Sequence, residues 1–556
     1  MTTEGHKVHL TGTRYHLAAL LVVLTISVGV ALLVTATDSR PTTIGLFAAM
    51  VAIGLIFFRP TVGLWLLLLT LPFQQIVPIN LPIGSLTLPR TITLVTVAAL
   101  VVQNLILPSN RRRSLRTPFD RALYALVLAW LVSSVLSIRI APDAPIYGLI
   151  VEDRIHLARQ HPFIKSYTEI ISYLVSVAVL YVMSGLLTST KLTRLALKFW
   201  IMGAAIACLI GMYATIAYYY NLPIPVNYSN TFYLSDPGSF AEVTRIRSVA
   251  SEPRFFTYYV ITILPFLIIT GLYKQYVISR NVHLGAVVLA STSFWLTMSR
   301  SMIVLGLAMV VLLPIIMAWG GSKLSRRRNS IVILGRVVVA LAILLGLASV
   351  MLFLVGGANL ANAFSGLAET INPYQWSISA QLINNIVALN IFLHNPVLGV
   401  GIGNFAFWAG PSAVPSWSPI LQDANDTVTF VTSVYLQTLS EVGIVGFVVL
   451  LYLFGTIGRL TIRIVQLSRD ETWTATAIGL MGSFLMIVVA VAFIPNFFYP
   501  ETWVVLGFIA IVSRHVASGQ QLSTMTQSER SAEALQLSRP QAALELDINN
   551  GKRRHA

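Results

Sequence analysis

The residues of this sequence best suited to chemistry are arginines set among apolar runs. From about residue 220 to 256 the stretch NLPIPVNYSNTFYLSDPGSFAEVTRIRSVASEPRFF holds Arg245, Arg247 and Arg254 beside Asp236, Glu242 and Glu252. A guanidinium is a planar, permanently charged fork matched to phosphate oxygens, so such a cluster could hold a pyrophosphate; it could equally pair with the neighbouring acids and order the segment. Arg300, in FWLTMSRSMIVLGL, falls where only a tight turn separates two apolar runs, a place for either a functional cation or an arginine that anchors the turn. A third stretch runs from IFLHNPVLGVGIGNFAF to DANDTVTFVTSVYLQTLSEVGIVGF. Its Gly399, Gly401 and Gly403 lack the strand and βαβ context of a dinucleotide loop and read as a packed turn. His394 has no second ligand nearby and reads as a hydrogen-bonding residue. Glu441 lies about two turns beyond Thr432 and Ser433, with Gly443 and Gly446 permitting close helix contact, and reads as a bonded structural carboxylate.

The elements that must carry these residues are membrane spans. Of 556 residues, 56% are hydrophobic and only 10% charged, which excludes a large soluble catalytic domain. The apolar runs have the length that crosses a hydrocarbon core of about 30 Å as a helix. The expected fold is all-α, a polytopic transmembrane bundle of about 14 spans (12–14), near residues 17–36, 42–58, 61–77, 92–107, 121–138, 169–188, 196–219, 257–273, 284–298, 301–319, 337–356, 434–456, 475–493 and 502–514. Residues 1–16 form a cytoplasmic N-terminus, 17–514 the bundle, and 515–556, polar and without a long apolar run, a flexible cytoplasmic tail. With this threading most of the 37 Lys and Arg fall inside, Arg111, Arg112, Arg113, Arg326, Arg327 and Arg328 among them, which sets both termini in the cytoplasm by the positive-inside rule. Residues 374–393 could almost span, but Gln381, Asn384, Asn385 and Asn390 would need partners in lipid. We read them as an interfacial helix within a long external loop, 357–433. The net charge of +16 sits in short clusters at span ends, where lipid headgroups are the nearer partner, so no nucleic acid is expected. Cys208 is the only cysteine, so an intrachain disulfide or a Cys-rich metal site is excluded.

Four stretches taken in order, RIRSVASEPRFFTYYVITILPFL, TMSRSMIVLGL, HNPVLGVGIGNF and VYLQTLSEVGIVGFVVLLYLF, resemble the O-antigen ligase and O-antigen polymerase superfamily of bacterial envelope glycosyltransferases. The resemblance covers about residues 245–455. It implies substrates that are glycans on undecaprenyl pyrophosphate, presented at the outer face of the plasma membrane, with external arginines on the pyrophosphate. The matching positions are Arg247, or its neighbour Arg245, and Arg300. The implied reaction needs neither a nucleotide sugar nor a divalent ion, and no cofactor is expected: an acceptor hydroxyl attacks the anomeric carbon, and guanidiniums stabilise the charge growing on the departing phosphate. Ligases of the family carry a His-Asn pair before the Tyr-Leu of the last motif, the His being the proposed base; here Thr432 and Ser433 stand there. Neither acts as a base at neutral pH, which tilts the reading to polymerase. Glu252 ranks first as a base, ahead of Asp423 and Asp426, because it lies in the arginine segment, and Arg245, Arg254, Thr432, Ser433, Tyr435 and Asp426 are the expected substrate-binding residues.

The leading expectation is polymerisation of lipid-linked repeat units into O-antigen, capsule or exopolysaccharide, in company with membrane lipids, a flippase and a chain-length regulator. The alternatives are ligase-type transfer to a lipid or other acceptor, a lipid-linked oligosaccharide flippase or other transporter, and a cell-wall glycan polymerase of the shape and division family. A transporter should line the middle of its spans with polar residues, whereas the charges here collect outside.

Overall fold

The computed structural model describes residues 43–73, 79–81, 84–106, 115–140, 161–220, 222, 232–233, 245–250, 252–297, 299–324, 376–409, 431–495 and 497–518. The expected spans 17–36 and 337–356, much of the loop 357–433 with Asp423 and Asp426, and the tail beyond 518 lie outside the described residues. The helices are α1 (Thr43–Phe58), α2 (Pro60–Thr70), α3 (Leu88–Ile106), α4 (Asp120–Ser134), α5 (Pro162–Leu186), α6 (Thr190–Tyr219), α7 (Pro253–Leu272), α8 (Arg280–Leu296), α9 (Arg300–Leu324), α10 (Trp376–His394), the single turn α11 (Phe405–Trp408), α12 (Val434–Leu467), α13 (Glu471–Ala490) and α14 (500–518). The only strands among the described residues form two small antiparallel pairs, β1 (Ile79–Leu81) with β2 (Gly84–Leu86) and β3 (Phe232–Tyr233) with β4 (Arg245–Ile246). The fold is helical, as expected, and eight of the described helices are long and apolar enough to cross a membrane.

The helix ends follow local chemistry. Proline opens α2, α5 and α7, where its missing N–H is one of the unpaired first-turn donors anyway. Asp470 caps α13 by accepting from the N–H of Thr472 at 2.7 Å and of Trp473 at 3.4 Å. The expected span 61–77 is the clearest difference: α2 stops at Thr70 and the chain turns at residues 71–73, where Pro72 cannot continue the helical bonding.

At the centre stands α7, buried on nearly every side from Phe256 to Thr270. Its main neighbour is α13, with α8 and α9 beside it. Lipid tails are as apolar as leucine, so close packing has to hold such helices together, and small residues permit it. A Cβ at Gly479 of α13 would stand 3.0 Å from Phe266 of α7, and one at Gly482 would stand 2.9 Å from Ile269. The same device joins α6 to α2, where a Cβ at Gly203 would meet the Leu68 carbonyl oxygen at 2.6 Å.

Candidate functional site

The site is built on a broken helix. Within α12, Gly443 has φ +73 and interrupts the helical path, a conformation in which an L side chain is strained. The break strands backbone groups, and the segment from Pro396 to Gly401 pairs with them. Val400 N–H donates to Ser440 O at 3.0 Å and Gly401 N–H to Glu441 O at 2.9 Å, while Ile444 N–H donates to Pro396 O at 2.8 Å. The approach is too close for side chains: a Cβ at Gly399 would lie 2.4 Å from the Glu441 carbonyl carbon, and one at Gly443 would lie 2.3 Å from Val397 O. Gly399, Gly401 and Gly403 all take positive φ, so the three glycines form the packed turn expected of them. Ser133 of α4 ties the assembly by donating to Glu441 O at 2.7 Å, and Ser166 of α5 donates to Ile402 O at 2.7 Å. His394 bonds the Asn390 carbonyl at 2.9 Å, a local role as expected.

The Glu441 side chain is 4% exposed and accepts from Phe405 N–H at 3.3 Å and Gln437 Nε2 at 3.2 Å, the bonded carboxylate foreseen from the sequence. Beyond it lies a group of charges carried by α3, α5, α7 and the start of α14. Lys165 Nζ stands 5.1 Å from the Phe407 ring centroid, within electrostatic range of Glu169 and Glu441. Tyr173, one turn past Glu169, stacks on Phe498 at 4.1 Å, and Trp130 meets the edge of the same ring at 5.1 Å. Next to Phe498 comes Tyr499, the hub of the group: Arg90 lies 5.5 Å over its ring, Phe255 is 6.0 Å away, and Glu501, Glu169 and Arg254 are all within electrostatic range. Burial pushes the Tyr499 hydroxyl above its ordinary pKa, with the Arg90 and Arg254 cations opposing the shift. Glu501 is fully buried at the start of α14, beside Thr502, whose hydroxyl bonds Tyr258 of α7 at 2.6 Å.

Arg247 is buried where β4 leads towards α7. Two residues past β4, Ser248 anchors this connection by donating to Ala207 O of α6 at 2.6 Å. Glu252 and Arg254 form an ion pair of 2.6 Å, with the guanidinium 4.9 Å from the Phe255 ring. Arg245 and Arg300 are placed by their backbones, in β4 and at the first residue of α9. Thr257 Oγ1 donates to Thr297 Oγ1 at 2.9 Å, which fixes the turn before Arg300 beside the first turn of α7. The helix starts bearing Arg90, Arg254 and Arg300 and the connection bearing Arg247 therefore share one end of the bundle. The remaining expected binding residues are occupied within the protein: Thr432 donates to Asn385 Oδ1 at 3.0 Å, Tyr435 donates to Val488 O at 2.6 Å, and Ser433 is buried at the start of α12. Arg90, Lys165, Glu169, Tyr499 and Glu501 were not singled out from sequence. Arg90 alone left a signal there, a cation just before an apolar run on the same side as the other arginines.

Comparison with known families adds an independent finding. No curated protein matches the chain. Residues 279–451 match the family described as O-antigen ligase, a stretch that runs from the start of α8 through Arg300, the glycine turn, Glu441 and the break at Gly443, and that leaves Arg90, Glu169, Arg247 and Arg254 outside it. Through this region, with its glycine turn built onto a broken helix, the chain is similar to the O-antigen ligase family.

Proposed function

We propose that the protein is a polymerase that joins glycan repeat units carried on a polyprenyl pyrophosphate, working at the outer face of the bacterial plasma membrane without a metal ion. The observation that carries this reading is the placement of Arg90, Arg247, Arg254 and Arg300 at one end of the bundle, with Arg90 and Arg254 within electrostatic range of Tyr499, as are the carboxylates Glu169 and Glu501. In the reaction the acceptor hydroxyl attacks the anomeric carbon of the donor glycan, the bond from that carbon to the phosphate oxygen breaks, and the electron pair leaves with the lipid pyrophosphate. Arg247 and Arg300 hold that diphosphate. Each charge-assisted bond to it contributes about 1.5 to 3 kcal/mol, most where the leaving charge is greatest. A lipid tail stays in the bilayer while its headgroup reacts, so the site opens sideways to lipid as well as to water. A flippase supplies the donor and a chain-length regulator acts beside the enzyme. Thr432 and Ser433, in place of a His-Asn pair, favour polymerase over ligase.

The test is the glycan profile of a strain deleted for the gene. Loss of long chains with accumulation of short lipid-linked units supports the polymerase; intact polymer stranded on its carrier lipid would make the protein a ligase, and an unchanged profile would remove both readings. The orientation is tested separately, by labelling single cysteines in a Cys208-free background. Residues 357–433 are expected to label from outside and residues 320–336 only from inside, so external labelling of Ser325→Cys would overturn the assignment of faces.

A further inference from the structure

Transfer to a sugar hydroxyl requires somewhere for its proton to go, and the position where the family's ligases carry a histidine holds Thr432. Four carboxylates are described at the arginine-bearing end. Glu441 is enclosed and bonded to Phe405 N–H and Gln437. Glu501 is fully buried. Glu252, first choice from the sequence, has its carboxylate engaged by the Arg254 guanidinium at 2.6 Å. Glu169 differs from each: it is partly exposed, unlike Glu441 and Glu501, and among the described residues it makes no hydrogen bond or ion pair, unlike Glu252. It is nonetheless held in place, since a Cβ at Gly403 would meet its Cγ at 2.8 Å. It also lies within electrostatic range of Tyr499, as do Arg90 and Arg254, so carboxylate and guanidiniums flank one aromatic hub from different helices.

Resting on the polymerase reading above, we propose that Glu169 is the general base of the transfer. Its carboxylate takes the proton of the acceptor hydroxyl as that oxygen forms its bond to the anomeric carbon, while the bond to the pyrophosphate oxygen breaks and the pair of electrons leaves on the phosphate held by the arginines. The glycine at 403 keeps the carboxylate close to the turn and leaves its oxygens to the acceptor, and Lys165 stands one helical turn earlier, within electrostatic range of the carboxylate.

The test uses the full chain purified into proteoliposomes, with the lipid-linked unit extracted from the deletion strain as donor and acceptor. Glu169→Gln keeps the shape and removes the basicity. It is expected to lower turnover by about 100-fold or more while photocrosslinking to the extracted lipid-linked unit stays at the wild-type level. Glu169→Ala is expected to lose turnover similarly and to regain part of it in formate, which a bracing role would not produce. Glu169→Asp withdraws the carboxylate by one methylene and is expected to lose about tenfold; it also serves as the decisive variant should the neutral ones fail to accumulate. Wild-type turnover in Glu169→Gln or Glu169→Asp, or loss of crosslinking in step with turnover, overturns the base. These results differ from a failure of the polymerase reading itself, which shows in the deletion strain before any variant is made.

Discussion

At the end of the bundle that carries Arg194 and Arg514, polar groups close on near neighbours. Asp120 accepts from the hydroxyl of Thr117 at 2.6 Å and of Tyr181 at 3.1 Å, Arg514 donates to Ser184 O at 2.9 Å, His515 meets the Thr193 hydroxyl at 2.8 Å, and Arg194 lies over the Trp473 ring at 5.8 Å. About 22 Å away along α5, at Glu169, the pattern changes. Charges from α3, α5, α7 and α14 lie within electrostatic range of Tyr499, and Glu252 and Arg254 form an ion pair. A charge bound to a carbonyl or a cap is spent on the fold. Charges of both signs gathered from several helices in a partly buried setting are a common mark of a functional site.

Changes on the site's scaffold should do the most damage. Gly399→Ala places a Cβ at 2.4 Å from the Glu441 carbonyl carbon, at a φ of +67. The left-handed backbone costs about 1–2 kcal/mol and the overpacking about 1–3 kcal/mol. The expected result is loss of most folded protein, read as detergent-extracted monodisperse protein and a lowered Tm; a normal yield and Tm would mean that the turn does not support the site. Next come Arg300→Lys and Arg247→Lys, which keep the charge and lose the fork. Each is expected to abolish most polymer, about 10-fold or more for one lost bidentate contact, with normal insertion in the membrane. Near-normal polymer from both would remove the pyrophosphate clamp and with it the functional contrast between the ends.

Smaller effects sharpen the contrast. Arg254→Lys is expected to be milder than either, since lysine can keep the pair with Glu252, and a chain-length profile on a gel separates a partial defect from a full one. Arg194→Lys, at the opposite end and exposed, should leave both polymer length and amount unchanged, because an exposed cation at a helix end contributes well under about 1 kcal/mol. A loss of polymer there would mean that the two ends are coupled and that the division drawn between them is wrong.

The helical architecture could be read from composition and run length, because a backbone in hydrocarbon has to satisfy its hydrogen bonds within each segment. The same holds for the glycine turn: residues 399, 401 and 403, without a strand and helix around them, had no nucleotide to cradle, and Glu441 followed as a bonded carboxylate. The superfamily was carried by local motifs, and residues 279–451 bear it out. Tertiary structure decided which charges meet. Arg90, Glu169, Arg254 and Glu501 are separated by scores of residues, and no local pattern says that α3, α5, α7 and α14 present them around Tyr499; that depends on how small residues such as Gly203, Gly479 and Gly482 let the helices cross. Tertiary structure also decided which carboxylates are already engaged. Glu252 and Glu169 are chemically alike in sequence, but one lies 2.6 Å from a guanidinium and the other is braced against Gly403 with its oxygens unbonded among the described residues, a difference set by partners that arrive from other helices.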